Sequence, residues 1–200
     1  MSDTPSGYQP PTTHGARVRA DVIDVYVFTR LLPSDPRAKT ESPARPYEEA
    51  TWTTGVAARP TVCFLHLLRA EAPLANTWHP VMGHVHAGET SLQCARRELE
   101  EELGLEPNDA AIRGLWALEQ VHPFYIAAID TVVMSPRFAC EVGPDWTPRL
   151  NDEHSAHRWV HERDIDAMFM WPGQKACCRE ILHEIVADKS LSRDGLRVED

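Results

Sequence analysis

Glu98, Glu101 and Glu102 stand in one acidic run, Arg97-Glu98-Leu99-Glu100-Glu101-Glu102-Leu103-Gly104-Leu105, which follows the loop Gly83-His84-Val85-His86-Ala87-Gly88-Glu89 after seven intervening residues. Residues three and four apart on a helix are neighbours, so these three carboxylates share one face. Like charges crowded there repel. Water relieves that repulsion on an exposed face, and so does a hard divalent cation that prefers oxygen ligands.

A Glu-rich helical turn taken alone reads as a solvated face. The surroundings here favour a site. Gly83 and Gly88 lie in a pre-helical loop, Glu89 and Thr90 stand at the expected helix start, and Leu92, Ala95, Leu99 and Leu103 recur at helical spacing. Gly104 supplies a stop, so the stretch is a loop-helix-loop unit with both ends marked by their own residues.

The unit resembles the Nudix box, G-x5-E-x7-R-E-U-x-E-E-x-G-U with U apolar. Gly83, Glu89, Arg97, Glu98, Leu99, Glu101, Glu102, Gly104 and Leu105 fill every fixed position. So many fixed positions in a short span make the pattern highly specific. The resemblance implies an α/β fold, a Nudix-type α/β/α sandwich with a mixed β-sheet, and hydrolysis of a nucleoside diphosphate linked to another moiety in a magnesium or manganese site. Outside the box, Leu67-Leu68-Arg69, Trp78-His79-Pro80-Val81-Met82, Glu153-His154, Arg158-Trp159-Val160 and Trp171 are similar to the branch that cleaves dATP-type nucleotides and dihydroneopterin triphosphate. The likeness runs from about Asp21 to Ala187.

Phosphoanhydride hydrolysis needs charge neutralised on the phosphate oxygens, a water aligned behind phosphorus and a group that takes its proton. The resemblance implies Mg2+, or Mn2+, on Glu98 and Glu102, with Glu101 contributing and the Gly83 carbonyl as a further ligand. Glu153, six residues before Trp159 in a polar loop, resembles the family's distal acid, a ligand or the base; Asp152 competes with it. Whether Glu98, Glu102 or Glu153 takes the proton stays open at this level. Arg97 is one residue before Glu98, and its planar fork is suited to hold Glu89 bidentately and brace the loop against the helix.

Arg69 and Arg19 resemble nucleotide-contacting positions, and Trp78, Phe124 or Trp171 could stack a base or pterin ring. His86 stands where many family members carry glutamate and is assigned to a substrate phosphate. A zinc site at His79, His84 and His86 is the alternative chemistry, short of further ligands at recognisable spacing. The function expected is magnesium-dependent cleavage of a nucleoside or dihydroneopterin triphosphate to monophosphate and pyrophosphate. Hydrolysis of nucleotide-sugars or dinucleoside polyphosphates is the alternative within the family, and a nucleotide sensor without turnover lies outside the enzymes.

Two hundred residues, 42% of them hydrophobic, suffice for one compact domain. The formal net charge of −10 argues against nucleic acid or an acidic membrane as partner, since those are held by clustered Lys and Arg. A small polyanionic nucleotide remains compatible, and homodimerisation is left open. Five scattered cysteines without a C-x-x-C pair indicate no disulfide framework. Residues 1–14 lack the apolar stretch of a secretory signal and no later segment reads as a membrane span, so a cytoplasmic enzyme is expected.

Residues 1–19 read as a disordered tail, 20–188 as the domain with a proline-rich surface insertion over 33–60, and 189–200 as a C-terminal tail. Val22 to Thr29 and Thr61 to Arg69 read as strands, the second buried on both faces. Ile112 to Gln120 and Ile129 to Val133 read as further strands, with Phe138 to Val142 continuing the second after a turn at Pro136. Ala156 to Val160 is a short strand and Arg163 to Phe169 a helical turn. Gln174 to Ala187 closes the domain as a helix with Ala176, Cys177, Ile181 and Ile185 inward.

Overall fold

Strands β2 (Val22–Leu31) and β3 (Thr61–Arg69) carry apolar residues at successive positions because both of their faces are covered. In this computed structural model, which describes residues 15–39, 59–72 and 74–199, one face of each strand packs under the acidic helix and the other under the last long helix. Val25, Val27, Leu65 and Leu67 meet Cys94, Leu99 and Leu103 on the first side. Tyr26, Phe28, Val62 and Phe64 meet Cys177, Cys178, Ile181 and Ile185 on the second. Two cores separated by one sheet make the expected α/β/α sandwich.

In chain order the elements are β1 (Arg17–Arg19), β2, β3, β4 (Trp78–His79), β5 (Val81–His84), α1 (Ser91–Leu103), β6 (Ile112–Ala117), β7 (Phe124–Ile126), β8 (Thr131–Val133), β9 (Arg137–Val142), β10 (His154–His161), α2 (Ile165–Met168), α3 (Pro172–Glu180) and α4 (Arg193–Leu196). The main sheet has the order β10-β3-β2-β9-β6, with β4 on β3 and β5 on β2. It is mixed: β2 runs parallel to β9 and antiparallel to β3 and β5. Arg137 ties this sheet to α3, donating through Nε to Asp24 Oδ2 at 3.2 Å and through Nη1 to the Gly173 carbonyl at 2.9 Å.

A second sheet, β1-β8-β7, revises several expectations. Arg17–Arg19, expected to end the tail, pairs in parallel with Thr131–Val133. Phe138 to Val142 does not continue the preceding strand: β8 belongs to the small sheet and β9 to the main one, because the chain changes sheets through Pro136. Ala127–Ile129 is a 3-10 turn rather than the beginning of β8. The strand at Ile112 ends at Ala117, and the one expected at Ala156 begins at His154 and runs to His161.

Within the expected insertion, Pro36–Lys39 forms a 3-10 turn, while 40–58 lies outside the described residues, as does 1–14 of the N-terminal tail. The closing helix is α3 followed by a π-type turn over Ile181–Val186. Cys177, Ile181 and Ile185 are inward as expected, but Ala176 is only half-buried and Cys178 fills the core instead. Beyond residue 189 the chain does not simply trail away: α4 leads to Val198, whose N–H donates to the Leu115 carbonyl of β6 at 2.9 Å. All five cysteines are buried and free.

Candidate metal centre

Helix α1 is set by its ends. Thr90 Oγ1 accepts the Gln93 N–H at 3.2 Å while Gln93 Oε1 accepts the Thr90 N–H at 2.8 Å, a reciprocal cap worth about 1 kcal/mol. At the other end Gly104 adopts φ 64°, a left-handed stop that a side chain would resist. Between these caps Cys94, Ala95, Leu99 and Leu103 face the sheet, which fixes the roll of the helix and turns Glu98 and Glu102 toward β5.

Strand β5 permits a close approach. A Cβ at Gly83 would lie 2.2 Å from Glu98 Oε1, so only a glycine lets this carboxylate rest on the strand backbone. Gly83 itself pairs with Ile23 of β2, and its place is therefore a sheet position rather than the loop read from sequence. Glu98 and Glu102 are buried at 8% and 2% exposure, whereas Glu101 is exposed.

Arg97 holds the unit together. Its Nε and Nη2 donate to Glu89 Oε1 and Oε2 at 2.9 and 3.2 Å, the bidentate grip expected from its spacing. Nη1 donates to Glu98 Oε1 at 2.8 Å and Glu101 Oε2 at 3.0 Å, and Nη2 also reaches the His84 carbonyl at 3.0 Å. Glu89 additionally accepts the His86 N–H at 2.9 Å. The Arg97 hydrogen bonds, followed by that from His86, hold the Glu89 carboxyl down at about 2.

Glu102 has no such partner for one of its oxygens. Oε2 is buried and makes no hydrogen bond, and the nearest imidazole nitrogen, Nε2 of His154, is 3.9 Å away. Burial first, then the charges of Glu98 and Glu153, push the Glu102 carboxyl up to about 9. Burial likewise raises Glu98, against the opposing pull of Arg97. These are two desolvated acids one helical turn apart, with an arginine hydrogen-bonded to only one of them.

The family profile for the NUDIX domain matches residues 56–184, more than half of the chain. The chain belongs to the Nudix family. Among curated proteins it is 36% identical over 96 residues to the octanoyltransferase of Myxococcus xanthus, a match that covers 47% of this chain and only 25% of that one. It is 30% identical over 120 residues to the rat bis(5'-nucleosyl)-tetraphosphatase (asymmetrical), covering 60% of this chain and 78% of that one.

Among solved structures, a Caenorhabditis elegans Ap4A hydrolase in a binary complex superposes with a TM-score of 0.56 at 16% identity, covering 82% of this chain and 95% of the other. The Escherichia coli dihydroneopterin triphosphate pyrophosphohydrolase does so at 0.52 and 18% identity, covering 81% and 97%. At such identities the two likenesses carry the fold. Nudix hydrolases are enzymes that use divalent metal ions and act on small nucleotide substrates.

The side chains here fit such an ion. An oxygen-only donor set, two desolvated carboxylates one turn apart and the glycine cradle under Glu98 are what a hard dication requires. Among the described residues no three His, Cys, Asp or Glu side chains converge at ligand spacing, and Arg97 engages Glu98 Oε1 and Glu101 Oε2. The histidines of the zinc alternative are not brought together either: His79 is buried, while His84 and His86 are exposed.

The other expected site residues divide. Glu153 precedes β10 with its side chain 57% exposed, 3.9 Å from Arg69 Nη1, and its charge acts on both Glu98 and Glu102. Arg69, at the end of β3, belongs to the same cluster and favours the ionised Glu102. Arg19 flanks the box loop, but its guanidinium is closed on Asp21 through bonds of 2.9 and 2.8 Å. His86 contributes its backbone to Glu89 while its ring is exposed.

Trp78 is separated from the carboxylates. It pairs with Leu68 and stacks on His66, on the sheet face that packs toward Phe169, with the Arg158 guanidinium 4.0 Å over its ring. Its alternation along β4 sends His79 to the acidic side instead. Phe124 and Trp171 are exposed. Sequence reasoning weighed His79 only as a zinc ligand and missed His154; both are buried, with ring centroids 5.3 Å apart and His154 Nε2 3.9 Å from Glu102. Each occurs in a quoted motif, yet only the strand register reveals that they meet.

Proposed function

We propose that this Nudix domain hydrolyses the phosphoanhydride of a nucleoside or dihydroneopterin triphosphate, releasing monophosphate and pyrophosphate in a magnesium-dependent reaction that manganese also supports. The observation that carries it is the pair Glu98 and Glu102, desolvated one turn apart against Gly83. Glu98 and Glu102, joined by Glu101, Glu153 and the Gly83 carbonyl, would hold the ion. When bound, it neutralises phosphate oxygens and polarises the anhydride.

This chain's own residues do the rest. Arg97 braces the loop through Glu89 and aligns Glu98. Glu153, exposed and only loosely opposed by Arg69, is the acid with room to receive a proton from the attacking water. Arg69 meets a substrate phosphate, and His86 extends that contact from the loop. Arg19 and Trp78 stand outside this arrangement, their cationic and aromatic faces engaged by Asp21 and Arg158.

The rat relative, named for a dinucleoside tetraphosphate, favours a second reading in which the same carboxylates cleave a dinucleoside polyphosphate. The acidic balance of the chain accords with a small nucleotide and not nucleic acid, and five unpaired buried thiols accord with a reducing cytoplasm. The test is product analysis with magnesium on dATP, other triphosphates, dihydroneopterin triphosphate, ADP-ribose and dinucleoside polyphosphates. Pyrophosphate from triphosphates alone supports the first reading, and mononucleotides from dinucleotides alone the second. Saturable nucleotide binding without product overturns both in favour of a sensor.

A further inference from the structure

We infer that His154 is a positioning residue that orients the Glu102 carboxylate toward the bound cation. This rests on the reading of Glu102 as a metal ligand. The three side chains come from different elements: Glu102 from the last turn of α1, His154 from the start of β10 opposite Arg69, and His79 from β4 opposite Leu67. Their exposures are 2%, 4% and 3%, so water does not solvate them.

Four polar atoms in this small volume lack hydrogen-bond partners: Glu102 Oε2, both ring nitrogens of His154, and His79 Nε2. Buried polar atoms are normally satisfied, and a concentration of orphans beside Glu102 calls for a rearrangement that pairs its free oxygen with the one ring N–H at hand. His79 fixes the chemistry on its side. Its Nδ1 lies 2.7 Å from the Pro80 carbonyl oxygen, which can only accept, so Nδ1 carries the proton and Nε2 offers a lone pair.

A neutral His154 has one ring N–H; carried on Nε2 it serves Glu102 Oε2, and the remaining lone pair on Nδ1 makes no bond to the lone pair of His79 Nε2. The 3.9 Å from His154 Nε2 to Glu102 Oε2 exceeds a hydrogen bond, and a small rotation of the carboxyl group closes it. Hydrogen bonds around a catalytic centre commonly tighten when the ligand arrives. An imidazole N–H on one carboxylate oxygen leaves the other directed at the ion, the outer-shell arrangement that fixes a ligand's orientation.

Mn2+ binding to the metal-free protein, read as loss of the free-ion EPR signal, tests this directly. In Glu102→Gln the affinity should fall at least about tenfold, which establishes Glu102 as a ligand independently of His154. His154→Phe keeps the ring shape without a donor and should also lose about tenfold or more. His154→Gln places an amide N–H near the Nε2 position and should restore affinity to within about threefold of wild type. Thermal stability of the metal-free protein should be unchanged in both His154 variants, which a merely structural role would not permit together with a metal defect.

His154→Leu repeats the measurement should phenylalanine disturb folding. If Glu102→Gln weakens Mn2+ and the apolar His154 variants bind within twofold of wild type, the positioning role is wrong while the metal site stands. If Glu102→Gln itself leaves Mn2+ binding intact, the ligand assignment fails and this inference fails with it. Equal loss in His154→Gln and His154→Phe also overturns it, because the donor would then be irrelevant.

Discussion

Arg97 and Glu89 are joined by two parallel hydrogen bonds, of 2.9 and 3.2 Å, across the seven residues that separate the loop from the middle of helix α1. The same guanidinium reaches Glu98, Glu101 and the His84 carbonyl, so one side chain links the loop, the strand end and the acidic face. Lysine has a point charge and no fork. Arg97→Lys should therefore lower kcat/KM roughly tenfold to a hundredfold and raise the divalent-metal concentration needed for half-maximal rate in parallel. Magnesium titrations of initial rate check it, and a variant with unchanged half-saturation would show that the brace has no bearing on the site.

Gly83→Ala places a methyl group where Glu98 Oε1 already lies at 2.2 Å from the ideal Cβ position. Glu98 must leave its rest on β5. Overpacking of this kind costs about 1–3 kcal/mol, and the displaced carboxylate should remove most turnover. Calorimetry and steady-state kinetics on the same sample measure both effects. Full activity with a lowered Tm would separate the glycine from the chemistry.

The three box glutamates should not respond alike. Glu98 and Glu102 are buried and aimed at β5, while Glu101 is exposed and held by Arg97. Glu98→Gln and Glu102→Gln are expected to reduce kcat by about a hundredfold or more, in line with the loss of a charged group acting on a transition state. Glu101→Gln should cost about tenfold or less. The ordering, read from saturating magnesium kinetics, is the checkable result.

Acid should destabilise the fold through buried imidazoles. Burial, then the Arg158 charge and His79, hold His66 down at about 3, far below the ordinary 6.5. Above pH 6.5 it is neutral whether folded or unfolded and contributes nothing. As the pH falls from 6.5 toward 3 the unfolded chain takes a proton that the folded one refuses, so stability drops by about 1.4 kcal/mol per pH unit for this group. His154, held at about 4 by burial, His79 and Arg69, adds in the same direction. Denaturant midpoints between pH 7 and 4 should show the decline, and His66→Gln should flatten it.

What local sequence encodes was readable. Thr90 and Gly104 mark the ends of α1 where they cap it, Val22 to Thr29 announces β2 as a strand, and the apolar density of β3 announces one covered on both faces. The box pattern carried the acids and Arg97 together because their contacts lie within one helix and its entry loop. Short strands escaped: β1 and β7 have three residues each and are defined by their pairing with β8, not by periodicity. Trp78 and His79 show the other limit. They are adjacent in the chain and fall on opposite faces of the sheet, an outcome decided by the pairing of Leu68 and Leu67 with them and invisible without that register. His154 met Glu102 through the same kind of long-range pairing.

Strand β6 ends the main sheet, and one side of its backbone would otherwise offer unpaired amides and carbonyls to any passing strand. The Val198 bond to Leu115 and the Trp116 to Arg197 bridge occupy part of that border. The segment 193–199 thus acts as a selvage on the fabric of the sheet: trimming it leaves the acidic helix untouched yet bares an adhesive rim, inviting self-association of otherwise well-folded molecules.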